Sequence, residues 1–155
     1  MKTSLLRHFI NCWPPFLFAG IRVAHLSADY RSIDIELRER WFNRNYVGTH
    51  FGGSLFAMTD ASYMVMLIEN LGRDYYVWDQ RATIEFVSPG RGTVRAQFRL
   101  DEATLQRIRE HTAGGEKYLP VFYVDIVDDV DKLVARVERT MYVRKKKTPV
   151  TVPRD

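Results

Sequence analysis

Apolar and polar residues alternate over Arg31 to Arg38, where Ile33, Ile35 and Leu37 interleave with Asp34, Glu36 and Arg38. Successive side chains of a strand face opposite sides, so this period of two predicts a half-buried strand. The same alternation covers Arg81 to Val87 and returns at Val94, Ala96, Phe98 and Leu100. The intervening Pro89-Gly90-Arg91-Gly92 has the chemistry of a tight turn, which predicts that these two strands form a hairpin. Two more strands are expected over Tyr118 to Val127 and Leu133 to Val143, joined by the acidic turn Asp128-Asp129-Val130-Asp131.

Helical spacing appears in three places. Leu5, Leu6, Phe9 and Ile10 fall on one face of a helix within residues 1–12, which the Pro14-Pro15 pair ends, and Phe16 to Val23 is expected to be extended. Ser54 to Leu71 reads as one long helix, apolar nearly all round, closed by Gly72. A helix without a polar face must be covered completely. A shorter polar helix, Ala103 to Glu110, has Asp101 as its candidate N-cap and stops at Gly114-Gly115. One apolar helix and an antiparallel sheet to cover it make an α+β fold, a single domain over residues 1–155.

Composition narrows the classes. The chain has 155 residues and a net charge of +4. Five basic residues (Arg144, Lys145, Lys146, Lys147 and Arg154) face only Asp155 over residues 144–155, while the preceding 143 residues carry 18 basic and 18 acidic side chains. The body is therefore neutral and the excess is a C-terminal tail, so a nucleic-acid partner is not expected. A single cysteine, Cys12, cannot close an intrachain disulfide, and no Cys/His cluster has zinc-ligand spacing, so a reducing compartment and no metal are expected. Arg7, His8 and the proline pair interrupt any signal-peptide core, which favours a cytoplasmic protein. The long apolar stretch carries Asp60 at its centre, a cost of about 2.5–3.5 kcal/mol in a bilayer, so no membrane span is expected.

The run Asn45-x-x-Gly48-Thr49-His50-Phe51-Gly52-Gly53-Ser54-Leu55, with Asp60 beyond it, resembles the start of the central helix in hotdog-fold thioesterases. More closely, Thr49 to Leu55 is similar to the DUF4442 family, related to the PaaI-like thioesterases. The motifs Asn43-x-Asn45, Asp74-Tyr75-x-Val77-Trp78-Asp79, Phe86-x-x-Pro89-Gly90-Arg91 and Tyr142-Val143-Arg144 extend that similarity, which runs from about residue 15 to 146. The resemblance implies a hotdog fold with its long helix wrapped by the sheet, and a homodimer whose sheets join edge to edge, in many relatives paired into a tetramer. It implies an acyl thioester, of coenzyme A or an acyl carrier, bound between subunits, with no further cofactor.

The chemistry of thioester hydrolysis needs donors for an oxyanion and a carboxylate to activate water. Gly53, at the start of the long helix, offers an N–H with no intrahelical partner, and Gly52 beside it lets a carbonyl approach; equally, both glycines could serve a crowded loop. Asp60, seven residues on, is the candidate base or nucleophile. At 1.5 Å per residue it lies about 10 Å along a continuous helix from Gly53, so a catalytic pair would need the antiparallel helix of a second subunit. The alternative is a buried Asp bonded to Ser62 or Thr83. Asn45 matches the Asn that precedes the glycines in the PaaI-like enzymes, or is a turn-forming residue. Phe51 stands where those enzymes have His, with His50 one position earlier; His50, Phe51, Gly52 and Ser54 are the expected substrate-binding residues. Because Phe51 cannot donate to a carbonyl, a non-catalytic acyl-CoA binding protein of the same fold is the second reading.

Overall fold

The period-two segments become strands and the computed structural model, which describes residues 3–146, joins seven of them into one antiparallel sheet. They are β1 (Ile21–Leu26), β2 (Ser32–Arg38), β3 (Tyr75–Phe86), β4 (Thr93–Arg99), β5 (Lys117–Tyr118), β6 (Val121–Val127) and β7 (Leu133–Lys145). The order across the sheet is β1-β2-β4-β6-β7-β3, with short β5 also on β7. Alternation decides the buried face: Ile33, Ile35 and Leu37 of β2, Val94, Ala96 and Phe98 of β4, and Ala135, Val137, Met141 and Val143 of β7 are all buried. The helices are α1 (Thr3–Cys12), α2 (Pro14–Ala19), α3 (Gly52–Ala57), α4 (Ser62–Leu71) and α5 (Glu102–His111). Tyr63 of α4 locks helix to sheet, stacking on Phe122 of β6 at 4.2 Å and meeting Phe98 of β4 edge-on at 5.3 Å.

Several expectations held. The helix ended by the proline pair is α1, Gly72 closes α4 with φ 87°, and the Asp101 carboxylate accepts from Thr104 N at 2.6 Å as the cap of α5. The acidic turn between β6 and β7 is built by Asp128, whose carboxylate accepts from Val130 N and Lys132 N.

Four did not. The segment after Pro14-Pro15 is helical before it is extended, because two prolines fix φ at the first helical positions; α2 runs to Ala19 and Gly20, at φ 82°, turns the chain into β1. The expected hairpin does not form, since β3 pairs with β7 at one edge of the sheet whereas β4 lies between β2 and β6. The single long helix is two, α3 and α4, separated at Met58–Ala61, with Ala61 in the left-handed region at φ 63°. Finally, the basic tail does not begin at residue 144. β7 runs to Lys145, Arg144 Nε donates to Gly115 O, and Lys146 Nζ donates to Arg73 O at 2.6 Å and lies over the Tyr76 ring. The rest of that tail, 147–155, lies outside the described residues. No helix among the described residues is long and apolar enough to cross a membrane.

One irregularity in β3 matters for the site. The register against β7 skips Gln80, so Asp79 faces Met141 and Arg81 faces Thr140. Such a bulge shifts the phase of the strand by one residue. Tyr75, Val77 and Asp79 before it, and Ala82 and Ile84 after it, therefore all point to the inner face.

Candidate functional site

Asn45 organises the loop that leads into α3. Its Oδ1 accepts from Val47 N and Thr49 N, and its Nδ2 donates to Thr49 Oγ1 at 2.8 Å and to His50 O at 3.1 Å. Both amide hydrogens are thereby used, and the side chain acts here as the frame of a turn whose reversal needs Gly48 at φ 75°. His50 is held behind that turn. It is buried, its N–H donates to Gly90 O, and its Nε2 sits 3.0 Å from Gly92 O. A neutral ring that donates from Nε2 leaves Nδ1 as a buried acceptor, without a hydrogen-bond partner among the described residues. Burial is the main influence on the imidazole and pushes its pKa below the ordinary value, only partly countered by Gly92 O and the Glu39 carboxylate.

Two exposed phenyl rings explain the glycines that follow. A side chain on Gly52 would meet the Phe86 ring at 3.0 Å, and one on Gly53 would run into the Phe51 ring. Ser54 N and Leu55 N turn back to Phe51 O at 2.9 and 3.2 Å, while Ser54 itself is buried in the first turn of α3. The N–H groups of Gly52 and Gly53 stand ahead of the first intrahelical bonds, where a helix has no partners for them.

The other end of α3 is closed by a residue the sequence reading did not single out. Arg139 of β7 lies on the inner face of the sheet among Val137 and Met141, 3% exposed. Its guanidinium reaches Thr59 Oγ1 through Nη2 at 3.0 Å and Phe56 O at 3.4 Å, so a cation sits at the C-terminal end of α3, where the helix dipole favours one. The same Nη1 donates to Asp60 Oδ1 at 3.0 Å and to Asp79 Oδ1 at 2.9 Å. Asp60 thus pairs with neither Ser62 Oγ nor Thr83, and it is not buried within a helix. It stands in the break between α3 and α4 with its side chain 54% exposed, whereas that of Asp79 is 22% exposed.

One groove of about 410 Å³ is bordered by Gly53, Phe56, Ala57, Asp60, Asp79 and Arg139. Gly53 and Asp60 therefore face a common space within one chain. A second cleft of similar size, bordered by Asn45, His50, Gly52 and Phe86, adjoins the start of α3. Among the described residues the side-chain bond of the Asp60 carboxylate runs through Oδ1, to Arg139 Nη1. Two carboxylates, Asp60 and Asp79, share one guanidinium, and Arg81 also borders the groove. No three His, Cys, Asp or Glu side chains among the described residues converge as metal ligands.

The signal for Arg139 was present in the alternation of its strand, where a charge occupies a position otherwise held by Ala135, Val137, Met141 and Val143. That for Asp79 was masked by the bulge at Gln80.

The family model of DUF4442, a domain of unknown function, matches residues 2–143. The chain belongs to the DUF4442 family. No curated protein matches it in sequence. Among solved structures, the Pseudomonas aeruginosa protein of unknown function and probable thioesterase PA5026 superposes with a TM-score of 0.81 at 20% identity, covering 94% of this chain and 97% of that one. The Haemophilus influenzae thioesterase HI1161 gives 0.68 at 14% identity, over 97% and 95%. The Pseudomonas aeruginosa thioesterase PA1618, in a mutant form, gives 0.67 at 14% identity, over 91% and 93%. At these identities the likeness establishes a shared fold for this DUF4442 member.

Proposed function

We propose that the protein is a hotdog-fold acyl thioesterase that hydrolyses a thioester of coenzyme A or an acyl carrier at a site completed by a second subunit. The observation that carries this reading is the Asp60 carboxylate, oriented by Arg139 at a groove that it shares with Gly53. In the reaction, Asp60 takes a proton from water as the oxygen attacks the thioester carbon. The oxyanion is met by the Gly53 N–H, and its collapse breaks the C–S bond, releasing a carboxylic acid and a thiol that regains the proton. Asn45 holds the loop, and His50 and Gly52 border the adjoining cleft at the start of α3, where the substrate's carrier side would lie. The homodimer is supported by β3, an edge strand with Tyr76, Trp78 and Phe86 exposed along it. An open edge of twelve residues with exposed apolar side chains is a template for pairing. An aqueous, reducing compartment suits the lone exposed thiol of Cys12.

Phe51 favours a second reading, an acyl-CoA binding protein without turnover, because its ring covers Gly53. A free-thiol assay over acyl-CoA from acetyl to palmitoyl separates the two. Release above the buffer rate for some chain length supports the hydrolase; binding by calorimetry with no thiol released over hours decides for the second.

A further inference from the structure

We infer that the acyl chain is taken up within a single subunit, in an apolar slot beneath the N-terminal helices, with Asp60 at its mouth. The inference rests on the thioesterase reading and names where its substrate's hydrocarbon lies. The slot is bounded by Ile10 of α1, Phe16 of α2, Val23 of β1, Ile35 of β2 and Val65 of α4, and reaches Asp60, Ala61 and Ser62. Asp60 is the most exposed residue of its lining, which otherwise is buried or half-buried. Asp60 also borders the groove that contains Gly53. Asp60 therefore borders both a polar groove and an apolar slot, as a thioester with a polar carrier on one side of its carbonyl and a hydrocarbon on the other requires.

The free space inside is about 20 Å³. That would hold one water by size, but a buried water needs two to four polar partners, and Asp60 and Ser62 are the only polar side chains of the lining. The space suits carbon. A chain longer than a methyl group or two requires a wall that yields, and α1 is such a wall. None of its residues is fully buried, and the side-chain bonds that tie it to β1 are Asn11 Nδ2 to Val23 O, Val23 N to Asn11 Oδ1 and Arg7 Nη1 to Ala24 O. Elements with few buried contacts open at low cost. Ile10, the α1 side chain that lines the slot, then sets the chain length accepted.

The test uses S-alkyl-CoA thioethers, which carry the chain but no hydrolysable bond, titrated calorimetrically into the full-length protein. Affinity is expected to rise about fourfold for each added methylene until the slot is filled. Ile10→Trp should lower the ratio of dodecyl to ethyl affinity at least tenfold, and Ile10→Ala should raise the length at which affinity levels off. No binding at any length, or a ratio within twofold of wild type in both variants, overturns the slot; the Ala variant serves alone if the Trp variant does not fold. Matched acyl-CoA turnover keeps the two claims apart. Length-dependent binding without thiol release removes the hydrolase and leaves the slot, whereas turnover with length-independent binding does the reverse.

Discussion

At the scale of single residues the site is governed by one buried cation between two carboxylates. Removing Arg139 leaves Asp60 and Asp79 facing each other, and only Asp60 is exposed enough to turn fully into water. Arg139→Met is therefore expected to cost about 3 kcal/mol, near the low end for a broken buried pair, measured by urea unfolding. Adding Asp79→Asn to that variant should recover part of the loss, since it removes the stranded charge. His50 makes a separate prediction. Its folded pKa lies below the unfolded value of about 6.5, so the unfolded chain binds more protons as pH falls. The stability this burial contributes is present above about pH 6.5 and is lost below it, and His50→Gln should flatten that part of a melting-temperature profile between pH 7.5 and 5. Of these residues Asp60, Gly53 and His50 were legible from sequence, because unusual residue types in an apolar setting announce themselves. Arg139 was legible only as a charge at an inward position of its strand; its pairing with Asp60 and Asp79 was not, because the long-range pairing that brings β7 under α3 has no local signature.

At the scale of elements, two interruptions shape the site and both escaped the periodicity. The apolar run from Ser54 to Leu71 contains no proline or glycine, so nothing local signals a break. At the end of α3, Phe56 O accepts from Thr59 Oγ1 and from Arg139 Nη2, which also donates to Thr59 Oγ1. The bulge at Gln80 hides the first half of β3, since its apolar positions fall out of phase with the second half. The turn chemistry of Pro89 to Gly92 is real, yet it connects strands that do not pair: sequence gives a turn its shape, while strand neighbours are chosen by the whole sheet. The start of α3 can be tested directly. Gly53→Ala places a methyl group against the Phe51 ring and should destabilise by about 1 kcal/mol, since an exposed ring can swing aside. In a Phe51→Ala background the same change should cost nothing measurable by thermal unfolding.

At the scale of the whole molecule, the α+β class and the strands β2, β4, β6 and β7 were legible in the sequence, whereas β1 in full, the first half of β3 and the sheet order were not. That order leaves β3 as an edge, and the account expects the purified protein to have a solution mass of twice 18.2 kDa, or four times it, by light scattering. A strict monomer at micromolar concentration would remove the shared site. The central claim concerns Asp60. Asp60→Asn leaves Arg139 paired with Asp79, a balanced pair, so the fold and melting temperature should be kept. The most direct measurement is the rate of thiol release from the preferred acyl-CoA by this variant beside wild type. The account predicts a loss of at least a hundredfold in kcat, the lower range for a positioned acid–base group. A folded Asp60→Asn protein with wild-type turnover would contradict it.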